Sequence, residues 1–305
     1  MTTLVAHTEG PETLSNGVTI PSITIRETMP ADIPECGRIL HEAFATLARA
    51  HGFPPDFPTV AVATGCVRGL IENPGFYGVV AERDGLIVGS TFLDERSTIS
   101  AIGPVSVDPT AQDARVGRTL MGAVLDRAAE RQVPGVRLVQ VSYHNQSLSL
   151  YAKLGFDVRE TFAAMYGEPL RLTLPGYPVR PATADDEAAS NALCIRVHGH
   201  DRAGEVRHAI DKGKGRVVER LGRITGYTTG ISYFNHSVAE TNDDLAALIA
   251  TAGRIDPPGI VVPLSNPELF RWCLAQGLRV FFVMNLMAIG VYQEPKGAYL
   301  PSVGY

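Results

Sequence analysis

Apolar positions along the chain change period repeatedly, and each change marks an element. Residues 23–26 read as a first strand. Met29-Pro30-Ala31-Asp32 then leads into a helix with Ile33, Ile39, Leu40, Ala43, Phe44 and Leu47 as its apolar positions. Asp32 reads as the N-cap, and Pro34 falls in the first turn, where a missing N–H is harmless. A proline-rich loop over residues 51–58 precedes a second helix through Val67, Leu70 and Ile71. Strand-like runs follow at residues 78–82, 86–92 and 100–107, with Arg83-Asp84-Gly85 as a hairpin turn. The stripe Val116, Leu120, Met121, Val124, Leu125 and Ala128 predicts a helix over residues 116–130. Pro134-Gly135 ends it. A strand at residues 136–141 and a helix near residues 147–154, closed by Gly155, complete the first half. Residues 1–20 show no periodicity and read as an arm.

The pattern then starts again. Ile25-Arg26 through Asp32 resembles Val179-Arg180 through Asp185. Tyr77-Gly78-Val79-Val80 resembles Gly215-Arg216-Val217-Val218, Pro134-Gly135-Val136 resembles Pro258-Gly259-Ile260, and Leu154-Gly155-Phe156 resembles Gln276-Gly277-Leu278. The order is the same in both halves, and the unit is far too long for a solenoid repeat. These matches predict a duplicated domain: an arm over residues 1–21, a first domain over 22–174 and a second over 175–305.

Composition adds exclusions. The chain has 305 residues, 45% hydrophobic and 19% charged, which supplies a core and excludes bulk disorder. Lys and Arg number 27 against 32 Asp and Glu, so the net charge is −5 and a general nucleic-acid binder is not expected. No apolar run of about 18 residues predicts a membrane span. Residues 1–17 lack a secretory signal pattern, so a cytoplasmic location is expected. Cys36, Cys66, Cys194 and Cys273 are scattered and read as free, buried thiols. His198, His200 and His208 lie near Asp201 and Glu205, but without metal-ligand spacing, and no metal is expected.

The chemistry concentrates where the strand at residues 100–107 ends and the helix of residues 116–130 begins. The first N–H groups of such a helix lack intrahelical partners and point outward with the positive end of its dipole, which suits a phosphate or pyrophosphate. Arg115 and Arg118 add positive charge, and Gly117 admits a ligand close to the backbone. An ordinary strand-to-helix turn with solvated arginines fits the same residues.

This segment resembles motif A of the GNAT N-acetyltransferases, Gln/Arg-x-x-Gly-x-Gly/Ala at a helix start. Gln112, Arg115 and Gly117 stand at the three marked positions, so Arg115 replaces the first glycine. Leu150-Tyr151-Ala152-Lys153-Leu154-Gly155-Phe156 resembles motif B, Tyr-x-x-x-Gly-Phe. The resemblance covers roughly residues 22–165 in the right element order. It implies an α/β (α+β) chain of two tandem GNAT-like domains, each a mixed, mostly antiparallel twisted sheet flanked by helices. It implies acetyl-CoA as the cofactor. The pantetheine arm would add like a strand along Val105, Ser106 and Val107, where Pro104 fits an interrupted strand because proline cannot donate to a ladder. The pyrophosphate would lie over Gln112, Arg115, Val116, Gly117, Arg118 and Thr119. An Asn upstream of the motif B Tyr often contacts the pantetheine in this family. His144 holds that position and Asn145 follows it, so either serves. The family's Tyr commonly protonates the leaving thiolate, which assigns Tyr151, a phenol near pKa 10. No general base is assigned; Asp94 and Glu95 read as turn residues.

The second half keeps the pattern but not this equipment. Its motif A counterpart, residues 235–245, has no Gly-rich turn and no Arg, and Asp243 and Asp244 would repel a pyrophosphate. Cys273 falls near the position of Tyr151. His236 reads as an incidental loop residue, and the apolar stretch at residues 297–305 reads as docked on the body. The expected activity is transfer of an acetyl group to a primary amine on a small molecule or peptide, with neither nucleic acid nor membrane as partner and a homodimer left open. The alternative is a weakly catalytic acyl-CoA sensor or scaffold.

Overall fold

The computed structural model describes residues 12–13, 19–20, 22–111, 114–168 and 172–304. The chain forms two compact units. One comprises Met1–Glu95 and Ile102–Val133, the other Arg96–Ala101 and Pro134–Tyr305, as far as these are described. Of the expected arm, only the short antiparallel ribbon β1 (Glu12–Thr13) and β2 (Thr19–Ile20) is described.

In the first unit β3 (Thr24–Glu27) is followed by α1 (Ile33–Ala50), α2 (Val60–Ile71), β4 (Phe76–Arg83) and β5 (Leu86–Asp94). The run expected at residues 100–107 is two strands, β6 (Ser100–Ile102) and β7 (Ser106–Val107), broken around Pro104. Helix α3 (Ala114–Glu130) ends the unit. Strands β3, β4, β5 and β7 are antiparallel neighbours in that order. Alternation of side chains across a strand sends Val80 and Phe92 to one face, into a cluster with Ile33, Cys36, Leu40, Ala63 and Val67 of α1 and α2. Gly89 faces the other way, onto Val116 and Leu120 of α3.

In the second unit, chain order gives β8 (Gly135–Val141), α4 (Asn145–Lys153), β9 (Asp157–Gly167), β10 (Val179–Pro181), α5 (Glu187–His198), α6 (Ala203–Asp211), β11 (Arg216–Arg220) and β12 (Arg223–Thr228). Then come β13 (Ser237–Ala239), α7 (Asn242–Ile249), β14 (Ile255–Pro263), α8 (Pro267–Ala275), β15 (Arg279–Gly290) and β16 (Ala298–Leu300). One sheet has the order β14-β9-β15-β8, with Ser100 and Ala101 of β6 parallel to Val136 and Arg137 of β8. The other runs β10-β11-β12-β13-β16, antiparallel throughout.

The duplication is legible in atoms. Arg26 clamps the Asp32 carboxylate with two bonds of 2.7 and 2.9 Å and reaches Glu82, while Asp32 accepts the Met29 N–H. Arg180 does the same to Asp186 at 2.7 and 2.8 Å and reaches Glu219, while Asp186 accepts the Thr183 N–H. The expected N-cap Asp32 therefore makes no side-chain cap to α1 and instead closes the preceding turn. The paired guanidinium holds the Asp186 carboxyl down to about 2. Both hairpins after β4 and β11 turn on two residues of positive φ, Asp84-Gly85 and Leu221-Gly222.

The repeats are also interlocked. β9 and β15, the matching last strands, pair with each other. β15 also pairs with β8 of the first repeat, and β9 with β14 of the second. Each repeat thus lends its last strand to the other. The sequence boundary expected near residue 174 is not where the compact units part, because β8, α4 and β9 are held into the second unit by this exchange.

Close main-chain approach at the exchanged strands explains the matched Pro-Gly pairs. A Cβ on Gly259, whose φ is +103°, would lie 1.8 Å from the Met165 carbonyl oxygen, and one on Gly135 would lie 2.6 Å from that of Val291. Gly259→Ala combines backbone strain with a main-chain clash, so a loss of about 3 kcal/mol or more is expected. At 2–4 °C per kcal/mol for a unit of this size, calorimetry should show Tm lowered by roughly 6 °C or more. An unchanged Tm would show that this approach is not a constraint.

Candidate functional site

The residues assigned to cofactor and catalysis fall into two sets, one in each unit. In the first unit, β7 runs toward α3. Ser106 pairs with Ser90 of β5, their hydroxyl oxygens 3.1 Å apart, and the Asp108 N–H donates to the Val88 carbonyl. An antiparallel ladder alternates residue by residue, so Ser106 and Asp108 turn their main-chain groups to β5. Val107 turns its own to the opposite edge, the direction an added strand needs.

Gln112 lies outside the described residues. Arg115 and Gly117 are half-buried and Arg118 is exposed, while Val116 is fully buried and can offer a ligand only its main chain. The Thr119 hydroxyl donates back to the Arg115 carbonyl at 2.8 Å. The first turn of α3 carries no acidic residue. Among the described residues, the start of α3 thus carries Arg115 and Arg118 and no acid, and the start of a helix favours negative charge.

The approach of β7 and α3 depends on Gly89, which sequence reasoning did not single out. A Cβ there would meet the Ser106 carbonyl oxygen at 2.7 Å and Leu120 at 3.0 Å. A glycine inside a strand pattern is the signal that could have found it. Nearby carboxylates are engaged. Arg38 bonds Asp108 at 2.7 Å, and Glu95 pairs with Arg127 at 2.9 Å and Arg131 at 3.3 Å. Although burial works against it, bonds from Thr110 and Arg38 hold the Asp108 carboxyl below its ordinary value. Asp56 behaves oppositely. In the proline-rich loop beside Phe57, its carboxyl is pushed by burial up to about 6. Nothing in the sequence beyond the flanking Phe53 and Phe57 marked it.

In the second unit, α4 begins at Asn145, earlier than expected, because the His144 carbonyl accepts the Leu148 N–H and the Ser147 hydroxyl. That carbonyl also accepts from Gln140 at 2.9 Å, and Asn285 donates to Gln140 at 3.2 Å. The strand β15 of the second repeat thus braces the turn that carries His144. Asn145 is exposed. Tyr151 is 8% exposed, edge-on to Phe156 with ring centroids 6.2 Å apart. Burial pushes its phenol well above the ordinary value of 10, so it holds its proton more tightly than the sequence argument assumed.

The matching positions of the second repeat are arranged otherwise. Cys273, in the place of Tyr151, is fully buried and its thiol is pushed up to about 12. Asp244 is fully buried, bound by Arg220, Thr241 and Thr225, and Asp243 accepts from the Tyr177 hydroxyl. β13 matches β7 in register: Ser237 and Val238 face Thr228 and Tyr227 of β12, as Ser106 and Val107 face Ser90 and Gly89 of β5. The free side of β13 is taken by β16, with Val238 opposite Tyr299. The expected docking of the chain's last stretch is therefore a strand addition. His236 is not an incidental loop residue. It is fully buried, 2.9 Å from the Tyr227 hydroxyl and 3.2 Å from Glu205.

Residues 39–156 match the sequence model of the acetyltransferase (GNAT) family. Over 104 residues the chain is 28% identical to an IAA acetyltransferase of Azospirillum brasilense, a match covering 33% of this chain and 68% of that protein. A putative acetyltransferase from Pyrococcus horikoshii superposes with a TM-score of 0.71 at 16% identity, covering 90% of this chain and 94% of the other. A GCN5-related N-acetyltransferase from Sphaerobacter thermophilus gives 0.60 at 14% identity, covering 89% and 96%. A tandem GNAT protein from the clavulanic acid biosynthesis pathway gives 0.53 at 14% identity, covering 88% and 98%. At these identities the superpositions speak for the fold.

Asp56 makes stability depend on pH. Its folded value of about 6 exceeds the ordinary 3.8, so its contribution is full below 3.8 and is lost as pH rises through 6. About 2 units at 1.36 kcal/mol each set a ceiling near 3 kcal/mol, and partial exposure reduces this to about 1–2 kcal/mol. Asp56→Asn should therefore be more stable than the parent at pH 7.5, with the gap closing by pH 4. Urea unfolding at both pH values checks this, and a gap independent of pH would refute it.

Proposed function

From a first repeat that matches the GNAT acetyltransferase family, in a chain with the tandem form of that fold, we propose an acetyl-CoA-dependent N-acetyltransferase. The acceptor is a primary amine on a small molecule or peptide. The repeats are those of the sequence, residues 22–174 and 175–305, and only the first takes the cofactor. The observation that carries this reading is the difference between two equivalent strand edges. On β7, Val107 turns its main-chain groups away from β5 toward where a pantetheine arm would run, with Val105 just before the strand, and α3 starts beyond with Arg115, Gly117 and Arg118. On β13 the same edge is already bonded to β16.

Acetyl-CoA supplies the thioester that the amine attacks. The N–H groups at the start of α3, with Gln112, Arg115, Val116, Gly117, Arg118 and Thr119, hold the pyrophosphate, and Arg115 turns its guanidinium to a phosphate where the family has glycine. Val105, Ser106 and Val107 align the pantetheine arm, and His144 or Asn145 contacts it. Main-chain N–H groups polarise the thioester carbonyl. Tyr151 gives its proton to the leaving sulfur. Its raised pKa makes it a weak acid in isolation, and it becomes a useful one only against a thiolate that is itself out of water and correspondingly more basic. Arg115 at the motif glycine also favours a second reading, a sensor that binds acyl-CoA without turnover.

Calorimetry with acetyl-CoA should give one site per chain. Two sites would refute the assignment to the first repeat alone, and none would refute enzyme and sensor together. Release of free thiol across a panel of amines, amino acids and aminoglycosides then separates enzyme from sensor. Tyr151→Phe should lower kcat about a hundredfold with acetyl-CoA affinity within about twofold of the parent, as expected for loss of a general acid. Because its phenol is raised, no alkaline loss of kcat from this residue is expected below pH 10. An unchanged kcat removes Tyr151 from the role.

A further inference from the structure

We propose that Arg38 of α1 is a positioning residue for acetyl-CoA: it neutralises Asp108, a carboxylate that shapes the cofactor loop and would otherwise repel the cofactor's phosphates. The inference rests on the assignment of acetyl-CoA to the first repeat. Asp108 directly follows Val107 and precedes α3, so its charge stands on the chain between the expected places of the pantetheine arm and the pyrophosphate. Its groups build that connection. One carboxylate oxygen accepts the Thr110 N–H at 2.9 Å and the Thr110 hydroxyl at 2.6 Å, and its main-chain carbonyl accepts the Ala111 N–H at 2.8 Å. The other carboxylate oxygen accepts from Arg38 at 2.7 Å. Asp108 is thus useful to the loop as an anchor and harmful to a diphosphate as a charge, and Arg38 separates the two effects.

Arg38 also bonds Glu35 and Glu42, but those side chains are 44% and 45% exposed, where water screens their charge. The Asp108 side chain is 11% exposed and depends far more on its guanidinium. The two repeats supply an independent observation. Six residues after the clamped Asp32 stands Arg38, and six after the clamped Asp186 stands Ala192. Two residues after Ser106 of β7 stands Asp108, and two after the matching Ser237 of β13 stands Ala239. Both members of the pair are therefore present in the repeat assigned the cofactor, and both are alanine in the repeat whose strand edge is bonded to β16. A contact needed only to pack this helix would be expected in both. The packing positions around it do match: Cys36 and Ser190, Ile39 and Leu193, and Leu40 and Cys194 are all buried.

Titration calorimetry of the full chain with acetyl-CoA tests this. R38Q should lose about tenfold in affinity, the order expected for one uncompensated like charge within a Debye length of the phosphates. D108N keeps an oxygen for Thr110 and should bind at least as tightly as the parent. The double variant R38Q/D108N should recover to within about threefold of the parent, and R38K, which keeps the charge, should stay within about threefold. Thermal melts of all four variants confirm that they fold. R38Q binding like the parent overturns the inference. So does a loss in R38Q that persists in R38Q/D108N, because it would then come from packing and not from charge. A parent that does not bind acetyl-CoA refutes the cofactor assignment and takes this inference with it, whereas a parent that binds beside an unaffected R38Q refutes this inference alone.

Discussion

The edge of a β-strand is the constraint on which the rest of this structure depends. A strand presents a row of N–H and C=O groups on each side, and leaving them unpaired away from water is costly. A single GNAT-like repeat has such edges at its last strand and at the strand before its ligand helix. The duplicated chain resolves the first kind by exchange: β9 and β15 pair with each other and each also pairs with a strand of the opposite repeat. The exchange imposes its own condition, that two main chains pass closely at Gly135 and Gly259, and the matched Pro-Gly pairs meet it.

The second kind of edge is treated differently in the two repeats. On β13 the chain itself supplies the partner. Ala298, Tyr299 and Leu300 are 3%, 4% and 2% exposed, and Leu300 joins a core with Leu245, Leu248, Ile260 and Leu269. Burying side chains such as these contributes about 2 kcal/mol each, so an extended ligand would have to displace a packed strand and not merely water. The acids of α7 belong to the same change. Asp244 is a buried structural anchor of Arg220 at the start of α7. The second repeat keeps the fold with these positions built into its core.

Much of this was legible in the sequence, for reasons that separate the visible from the hidden. Element order, the break at Pro104, the α3 stripe and the duplication all rest on local periodicity and on Gly and Pro, which act within a few residues. The lack of an Arg and of a Gly-rich turn in residues 235–245 was legible because charge is written in single letters. The exchange of β9 and β15 was not, since strand partners far apart in the chain leave no local trace. His236 was misread for the same reason: Tyr227 and Glu205, which satisfy it, are brought to it by β12 and α6. Asp56 went unmarked and Tyr151 was read with an ordinary phenol, because burial raises both pKa values and burial is a property of the fold.

Duplication also explains why the two repeats could diverge so far without loss of the fold. β15 holds β8 along seven residues, from Met284 opposite Val141 to Gly290 opposite Gly135, and Asn285 braces the turn that carries His144 through Gln140. The strand that the second repeat contributes is thus part of what positions a candidate site residue of the first. The geometry of that turn therefore depends on β15, and through pairing on β9 and β14. It places no demand on the motif A counterpart of the second repeat, which touches none of these strands by main-chain pairing. That region has no arginine or Gly-rich turn, carries Asp243 and Asp244, and pairs with β16. The asymmetry of the chain follows from which strands were exchanged.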